Sequence, residues 1–448
     1  MFQTFRNAWK IDDLRKKIIF TVIILVIFRL GAAIPAPFID ATVLADKLSD
    51  TGTIFGFFNM LSGGGFAQAT LFALGVTPYI NASIIIQLLG VVIPALERLG
   101  QEGEEGRRKL NKITRYTGIA IALLLSFVYY ILMKNQGALV YTDGFAGVFS
   151  AIVIVASFTA GAVLLMWLGE QIDSNGIGNG ISLLIFVGIL GNITTAVQQI
   201  IYYFSMAKSG SYTFGTAEDG SMTVIPVSLK WYYIAIPLII IMFAVMFVLI
   251  VAANSAERRI PVQYAKRVVG RRVYGGQSSN IPVKVTMTGV LPVIFASAIL
   301  SLPGTIKDFF GITEGFWAKF LGFFSNQGWG YIVLYALFIF GFNYFYVAIQ
   351  YNPVQMANDL RKNSGMIPGI RPGKPTSDFI SRVISKVTFI GALFLIVVAT
   401  LPIIITKATG INISLGGTSV LILVGVALEI SNTLESYMLM RHYKGFLE

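Results

Sequence analysis

The chain has no cysteine, a single histidine and little charge. Without cysteine there are no disulfides, no thiolate-held metals and no cysteine nucleophile. The lone histidine, His442, sits close to the C-terminus and leaves no pair for a zinc motif and no residue for a catalytic triad inside the chain. No Gly-x-x-x-x-Gly-Lys-Ser/Thr sequence occurs, so the chain offers no phosphate loop of that kind. Neither a metal nor an organic cofactor is expected, and these absences point away from an enzyme. Only 12% of the 448 residues are charged, whereas 55% are hydrophobic and the mean hydropathy is +0.73. That is more apolar surface than a soluble fold can bury. The long uncharged runs lack the period-two alternation of barrel strands, and unpaired backbone amides are costly in hydrocarbon, so the runs must be helices. The fold class is an all-α polytopic membrane protein.

Windows of about 19 residues place spans near 18–36, 69–93, 115–133, 148–169, 180–203, 231–253, 286–304, 331–350, 386–406 and 418–437, about ten in all. The first follows Arg15-Lys16-Lys17 and has no small-residue cleavage site after its apolar core, so it is expected to be retained. Taking the N-terminus as cytoplasmic, 26 of the 34 Lys and Arg fall in the segments assigned inside, with seven outside. The asymmetry predicts both termini in the cytosol. Five spans precede and five follow the external loop 204–230. The expected division is therefore an N-terminal half (1–203), an external hinge loop (204–230) and a C-terminal half (231–448), with the odd span count in each half pointing to an inverted repeat.

The formal net charge of +12 concentrates on the inner face. Orientation and contact with anionic lipid account for part of it. The loop 257–284 goes further: Arg258, Arg259, Lys266, Arg267, Arg271, Arg272 and Lys284 interleave with Pro261, Tyr264 and Tyr274, and the loop 351–386 carries Arg361, Lys362, Arg371 and Lys374. Two protruding basic loops suit an RNA-rich or acidic docking partner. A second unusual stretch is Thr53 to Phe66, too short to span, which ends in Ser62-Gly63-Gly64-Gly65 immediately before a long apolar run. Broken backbone at membrane depth lines cavities; an amphipathic helix lying on the lipid is the competing reading. Within the spans, Arg29, Gln87 and Glu429 are the main polar groups; Arg29 reads as a snorkelling or paired structural charge, and Glu429 as one facing a neighbouring helix. An ion-coupled secondary transporter with inverted repeats is the alternative function, but it calls for charged or strongly polar groups at the midplane.

Gly103-Glu104-Glu105-Gly106-Arg107-Arg108-Lys109, Trp167-Leu168-Gly169-Glu170-Gln171-Ile172, Gly176-Ile177-Gly178-Asn179-Gly180-Ile181-Ser182, Tyr264-Ala265-Lys266-Arg267 and Pro368-Gly369-Ile370-Arg371-Pro372-Gly373 follow one another in the order of the bacterial SecY family, which the chain resembles over nearly its whole length. The resemblance implies the central channel subunit of the Sec translocon, in the bacterial plasma membrane. It would pass unfolded secretory polypeptides across the membrane and release transmembrane segments sideways into lipid. The implied partners are the SecE and SecG subunits, the motor ATPase SecA, the translating ribosome, and the signal peptides of the cargo.

Residue by residue, the family's aliphatic pore ring matches Val76, Ile80, Ile181, Ile185, Ile294 and Ile422, and Val76 stands where isoleucine is common, one methylene smaller. Branched aliphatics at a constriction exclude water and ions without trapping a passing chain. The plug matches 53–66, with Thr53, Phe57, Asn59, Ser62, Gly63, Gly64 and Gly65 as its marked positions. The lateral gate lies between the second and seventh spans, with Pro78, Gln87, Pro292 and Pro303 as its notable residues. The basic side chains of the two loops would dock SecA or the ribosome. The glycines at 176, 178 and 180 read as a tight cytosolic turn into the next helix.

Overall fold

A computed structural model describes residues 2–40, 59, 62–209, 232–264, 267–269, 272–274, 278–310, 315–316, 320–321, 329–411 and 416–444. The elements run α1 (Phe2–Trp9), α2 (Asp12–Gly31), α3 (Thr77–Val92), α4 (Pro94–Gln101), α5 (Glu104–Asn135), α6 (Gly144–Asn175), α7 (Gly180–Ser209) and α8 (Tyr232–Ser255). There follow β1 (Glu257–Tyr264), β2 (Arg267–Val269), β3 (Arg272–Tyr274), β4 (Ser278–Lys284), α9 (Leu291–Phe310), α10 (Trp329–Gln350), α11 (Pro353–Lys362), β5 (Gly365–Met366), α12 (Lys374–Thr409) and α13 (Gly417–Lys444).

Seven helices among the described residues are long and apolar enough to cross a membrane, and up to eight if α3 and α4, bent by 107° at Ile93, are taken together as one span. The remaining two expected spans fall on α2, whose start carries Arg15-Lys16-Lys17, and on α9, apolar over Leu291–Leu300. Helices form where the apolar runs lie because each backbone amide must be paired within its own segment in lipid. Within the N-terminal half, α3 packs on α5 and α5 on α6; within the C-terminal half, α9 packs on α10 and α10 on α12, while α7 meets α8 and α13 between the halves.

Two expected spans begin later than hydropathy placed them. Residues 69–76 and 286–290 are turns, and helix starts at Thr77 and Leu291. The stretch 62–76 is apolar yet irregular, and it is buried in protein: Ser62, Phe66, Ala69, Thr70, Phe72 and Ala73 are all under 5% exposed. That excludes a lipid-surface helix for these residues. Their backbone is paired by Leu71 N–H to the Ile34 carbonyl (2.8 Å) and Ala36 N–H to the Ala69 carbonyl (2.9 Å). Gly161 of α6 admits this segment: a Cβ there would lie 2.0 Å from the Leu71 carbonyl oxygen. Gly161→Ala is therefore expected to cost about 1–3 kcal/mol or more by overpacking, read as a lowered Tm of the purified protein in detergent.

A further departure from the all-helical expectation lies in the basic loop 257–284. It folds into an antiparallel pair, with Ile260 opposite Ile281 and Arg258 opposite Val283, and β5 of the second loop adds to its other edge through Gln263–Met366 and Tyr264–Gly365. Gly365 fits closely against Tyr264, where a Cβ would sit 3.0 Å from the ring. Residues β2 and β3 form a separate short hairpin. Ile260, Val262 and Val283 face an apolar cluster with Leu360, Ile367, Ile380 and Ile384, which seats the sheet on α11 and α12.

Candidate functional site

The six aliphatics singled out as a ring converge. Val76, Ile185, Ile294 and Ile422 are buried members of one apolar cluster, and Ile80 and Ile181 pack against it. They come from four separate elements: Val76 caps α3 and Ile80 lies one turn inside it, Ile181 and Ile185 share a face of α7 at i,i+4 spacing, Ile294 is on α9 and Ile422 on α13. The cluster joins both halves of the chain and is completed by Phe28, Phe72, Leu165, Leu184 and Val426. The smaller Val76 is nonetheless buried, at 2% exposure.

The α6–α7 turn is as expected. Gly178 has φ +78°, Asp173 Oδ1 accepts from the Gly180 N–H at 2.7 Å, and Asn179 Oδ1 accepts from the Ser182 N–H at 3.0 Å, capping α7. Gly180 has to be glycine, since a Cβ would meet the Gly169 carbonyl oxygen at 2.1 Å.

Of the plug positions, Thr53 and Phe57 lie outside the described residues; Asn59, Ser62 and the three glycines do not. The turn is tightly bonded. Asn59 Oδ1 accepts from the Ala67 N–H (2.9 Å), its carbonyl accepts from the Gly64 N–H (2.8 Å), and Ser62 Oγ accepts from the Phe66 N–H (2.9 Å). Gly63 and Gly64 adopt φ of +68° and +92°, which a side chain would strain. Arg29 donates to the Gly63 carbonyl at 3.1 Å, so its charge serves the glycine turn. The Tyr129 hydroxyl donates to the Phe66 carbonyl. Glu429, expected to face a neighbouring helix, is open to the surface on one side and lies within electrostatic reach of Asp173 near the end of α6 and Lys284 at the end of β4.

The candidate gate helices carry their prolines at or near their starts. Pro78 and Pro292 are buried in the first turns of α3 and α9, where a missing N–H has no helical partner to lose, and Pro303 lies inside α9. Gln87 donates from Nε2 to Ser83 Oγ (3.1 Å), and its Oε1 accepts from the Tyr346 hydroxyl of α10 at 3.3 Å, a bond between the two halves. Tyr346 stacks on Phe295 of α9, with ring centroids 4.9 Å apart. Asn343, three residues before Tyr346, is 3% exposed and bonded to Thr288 and Thr388. Neither Tyr346 nor Asn343 was marked from the sequence. Asn343 stands in the apolar run of α10 and was legible as an intramembrane polar residue in need of a partner.

Of the basic residues singled out, Arg258 and Arg259 are exposed on β1, with Arg259 Nε paired to Glu257 at 2.6 Å. Arg267 and Arg272 belong to the β2–β3 hairpin; Lys266 and Arg271 lie outside the described residues. Arg361 and Lys362 end α11, Lys374 begins α12, and Arg371 is exposed between Gly369 and Gly373, whose φ values are +80° and +105°. The β1–β5 pairing thus welds the two basic loops into one platform.

The sequence profile of the SecY family matches residues 70–431. The chain is 39% identical to the protein translocase subunit SecY of Thermotoga maritima over 454 residues, covering 100% of this chain and 98% of that one. It is 42% identical to the SecY of Streptomyces coelicolor over 461 residues, covering 100% of both. Among solved structures, a SecY channel whose plug domain is described as stabilising the closed state and maintaining a membrane seal superposes with a TM-score of 0.61 at 18% identity, covering 94% of this chain and 92% of that one. Sec61 in a canine ribosome–channel complex superposes at 0.55 with 19% identity and the same coverage. At these identities the structural likeness speaks for the fold.

Proposed function

The chain belongs to the SecY family, and from that premise we propose how its geometry conducts a polypeptide. It is the channel subunit of a protein translocase in the plasma membrane, acting on unfolded chains and not on a small solute. A substrate of every composition cannot be held by a specific polar site, so the conduit has to be closed by something chemically indifferent. The observation that carries this reading is the convergence of Val76, Ile80, Ile181, Ile185, Ile294 and Ile422, from both halves, in one apolar cluster. At rest the cluster excludes water and ions; a passing chain parts it, and it closes again without a charge to release.

Residues 1–203 and 231–448 act as the two halves, hinged at 204–230, with both termini cytosolic. The segment 53–66 is the plug, held at its glycine turn by Arg29. α3 and α9 border the lateral gate, through which a segment of about 20 apolar residues leaves by partition into lipid, a process worth several kcal/mol that needs no chemistry. The basic platform of the two inner loops docks SecA or a translating ribosome, whose acidic or phosphate-rich surfaces suit guanidinium forks. SecE and SecG complete the complex. The ion-coupled transporter reading has no support in the family to which the chain belongs.

The test is protease protection of a signal-bearing precursor added to liposomes that contain this chain with SecE, supplied with SecA and ATP. Protection that requires every component is the expected result. A precursor that stays accessible while the liposomes accumulate a small solute down an ion gradient would overturn it.

A further inference from the structure

Resting on the reading of α3 and α9 as the gate, we propose that α10 is a clasp with two grips one helical turn apart. Asn343 holds the strap that leads from the docking sheet into α9, Tyr346 holds α3 of the other half, and force on the sheet is relieved at the second grip.

The strap is short. β4 ends at Lys284 and α9 begins at Leu291, so residues 285–290 alone join them. It is pinned on three sides. The Val285 N–H donates to the Ala256 carbonyl (3.0 Å), and Thr286 Oγ1 donates to Asn254 Oδ1 at the end of α8 (2.7 Å). The Val285 carbonyl lies against Gly391 of α12, where a Cβ would be 2.3 Å away. Thr288 Oγ1 donates to Asn343 Oδ1 (2.6 Å), and Asn343 Nδ2 donates to the Thr388 carbonyl (3.0 Å). Thr288 and Asn343 are 4% and 3% exposed, so this grip is fully desolvated and breaking it would strand buried polar groups. Sheet, strap, α9 and α10 consequently move as one body.

The other grip is weaker. The Tyr346 hydroxyl reaches Gln87 Oε1 at 3.3 Å, and Gln87 is exposed. This bond is long and open on one side, whereas the one at Asn343 is 2.6 Å and enclosed. The Tyr346 ring, stacked on Phe295, keeps α9 with α10 when α3 parts from them. A displacement of the docked sheet therefore separates Tyr346 from Gln87 before it disturbs Asn343.

The two grips predict opposite phenotypes from residues three apart. Tyr346→Phe removes only the hydroxyl and lowers the threshold for opening; export of a precursor with a weakened signal sequence rises about threefold to tenfold. Gln87→Leu does the same, and the double variant adds nothing further. Thr288→Val slackens the strap: SecA binds to the complex with unchanged affinity, but SecA-driven export falls about tenfold, and Tyr346→Phe in the same chain restores part of it. Asn343→Leu tests the same grip if Thr288→Val melts early in detergent, and the Tyr346/Gln87 cycle decides the outer grip regardless of either. Additive effects of Tyr346→Phe and Gln87→Leu, a shared direction for Tyr346→Phe and Thr288→Val, or lost SecA affinity in Thr288→Val would overturn the clasp. Photo-cross-linking of a signal peptide to α3 and α9 in the unsubstituted complex separates the two levels: no cross-link sinks the gate reading itself, whereas a cross-link with discordant variants sinks only the clasp.

Discussion

Arg371→Glu is expected to abolish precursor export while the channel remains folded and inserted. The Arg371 side chain is exposed, and the local structure hangs on its backbone: the Thr376 hydroxyl donates to the Arg371 carbonyl at 2.8 Å, and glycines at 369 and 373 supply the positive φ angles on either side. The substitution leaves all of that in place. What changes is the sign of an exposed charge on the loop proposed above to dock SecA or the ribosome. A charge pair at about 4 Å contributes roughly 4 kcal/mol at an effective dielectric near 20, so turning attraction into repulsion removes several powers of ten in productive encounters with an acidic or phosphate-rich partner. Arg371→Lys keeps the charge but loses the two-pronged hydrogen bonding and is expected to retain partial export. The assay is protease protection at matched expression, with Tm in detergent as the folding control. Normal export by a stably expressed Arg371→Glu chain refutes the assignment.

Ion leakage is the second large expected effect. Ile185→Asn, and more so Ile185→Asn with Ile294→Asn, should turn a silent complex into one that conducts small ions in planar bilayers without any precursor. Both side chains are buried in the central cluster, at 5% and 8% exposure. A carboxamide there offers water two donors and an acceptor, and a dewetted constriction stays dry only while its lining offers none. Loss of packing could also loosen the channel, because removing a buried aliphatic costs roughly 2–5 kcal/mol. The control is Leu395→Asn, equally buried but in the separate cluster of α9, α10, α12 and α13. It should lower Tm without opening a conductance. Equal conductance from Leu395→Asn and Ile185→Asn would remove the ring from its proposed role.

The spans were legible because apolar length is a direct requirement of the bilayer: every window expected to cross falls on a helix of the structure. Their starts were less so. Hydropathy reports burial, and residues 69–76 and 286–290 are buried or apolar without being helical, so the windows absorbed both turns. The three-stranded sheet escaped notice because the loop 257–284 stood out for its arginines. Its alternation was nonetheless present: Ile260 and Val262 are buried, and Arg259 and Pro261 between and beside them are exposed, the period of a half-buried strand. The ring residues were marked only through the family resemblance, since an isoleucine facing a constriction and one facing a neighbouring helix are identical in sequence. Tyr346 had no sequence signal at all; its hydroxyl gains meaning only from Gln87, far away along the chain, which α10 brings within reach.

The pairing of β1 with β5 also sets a clock on biosynthesis. Gln263 is made 103 residues before its partner Met366, counting from 263 to 366. At roughly 5–20 residues per second, the first basic loop waits about 5–20 s for the strand that completes its sheet. During that interval α9 and α10 are still being threaded into the bilayer, and the welded platform does not yet exist. The complete platform, proposed above as the landing surface for a motor or ribosome, is thus absent until most of the C-terminal part of the chain has been synthesised.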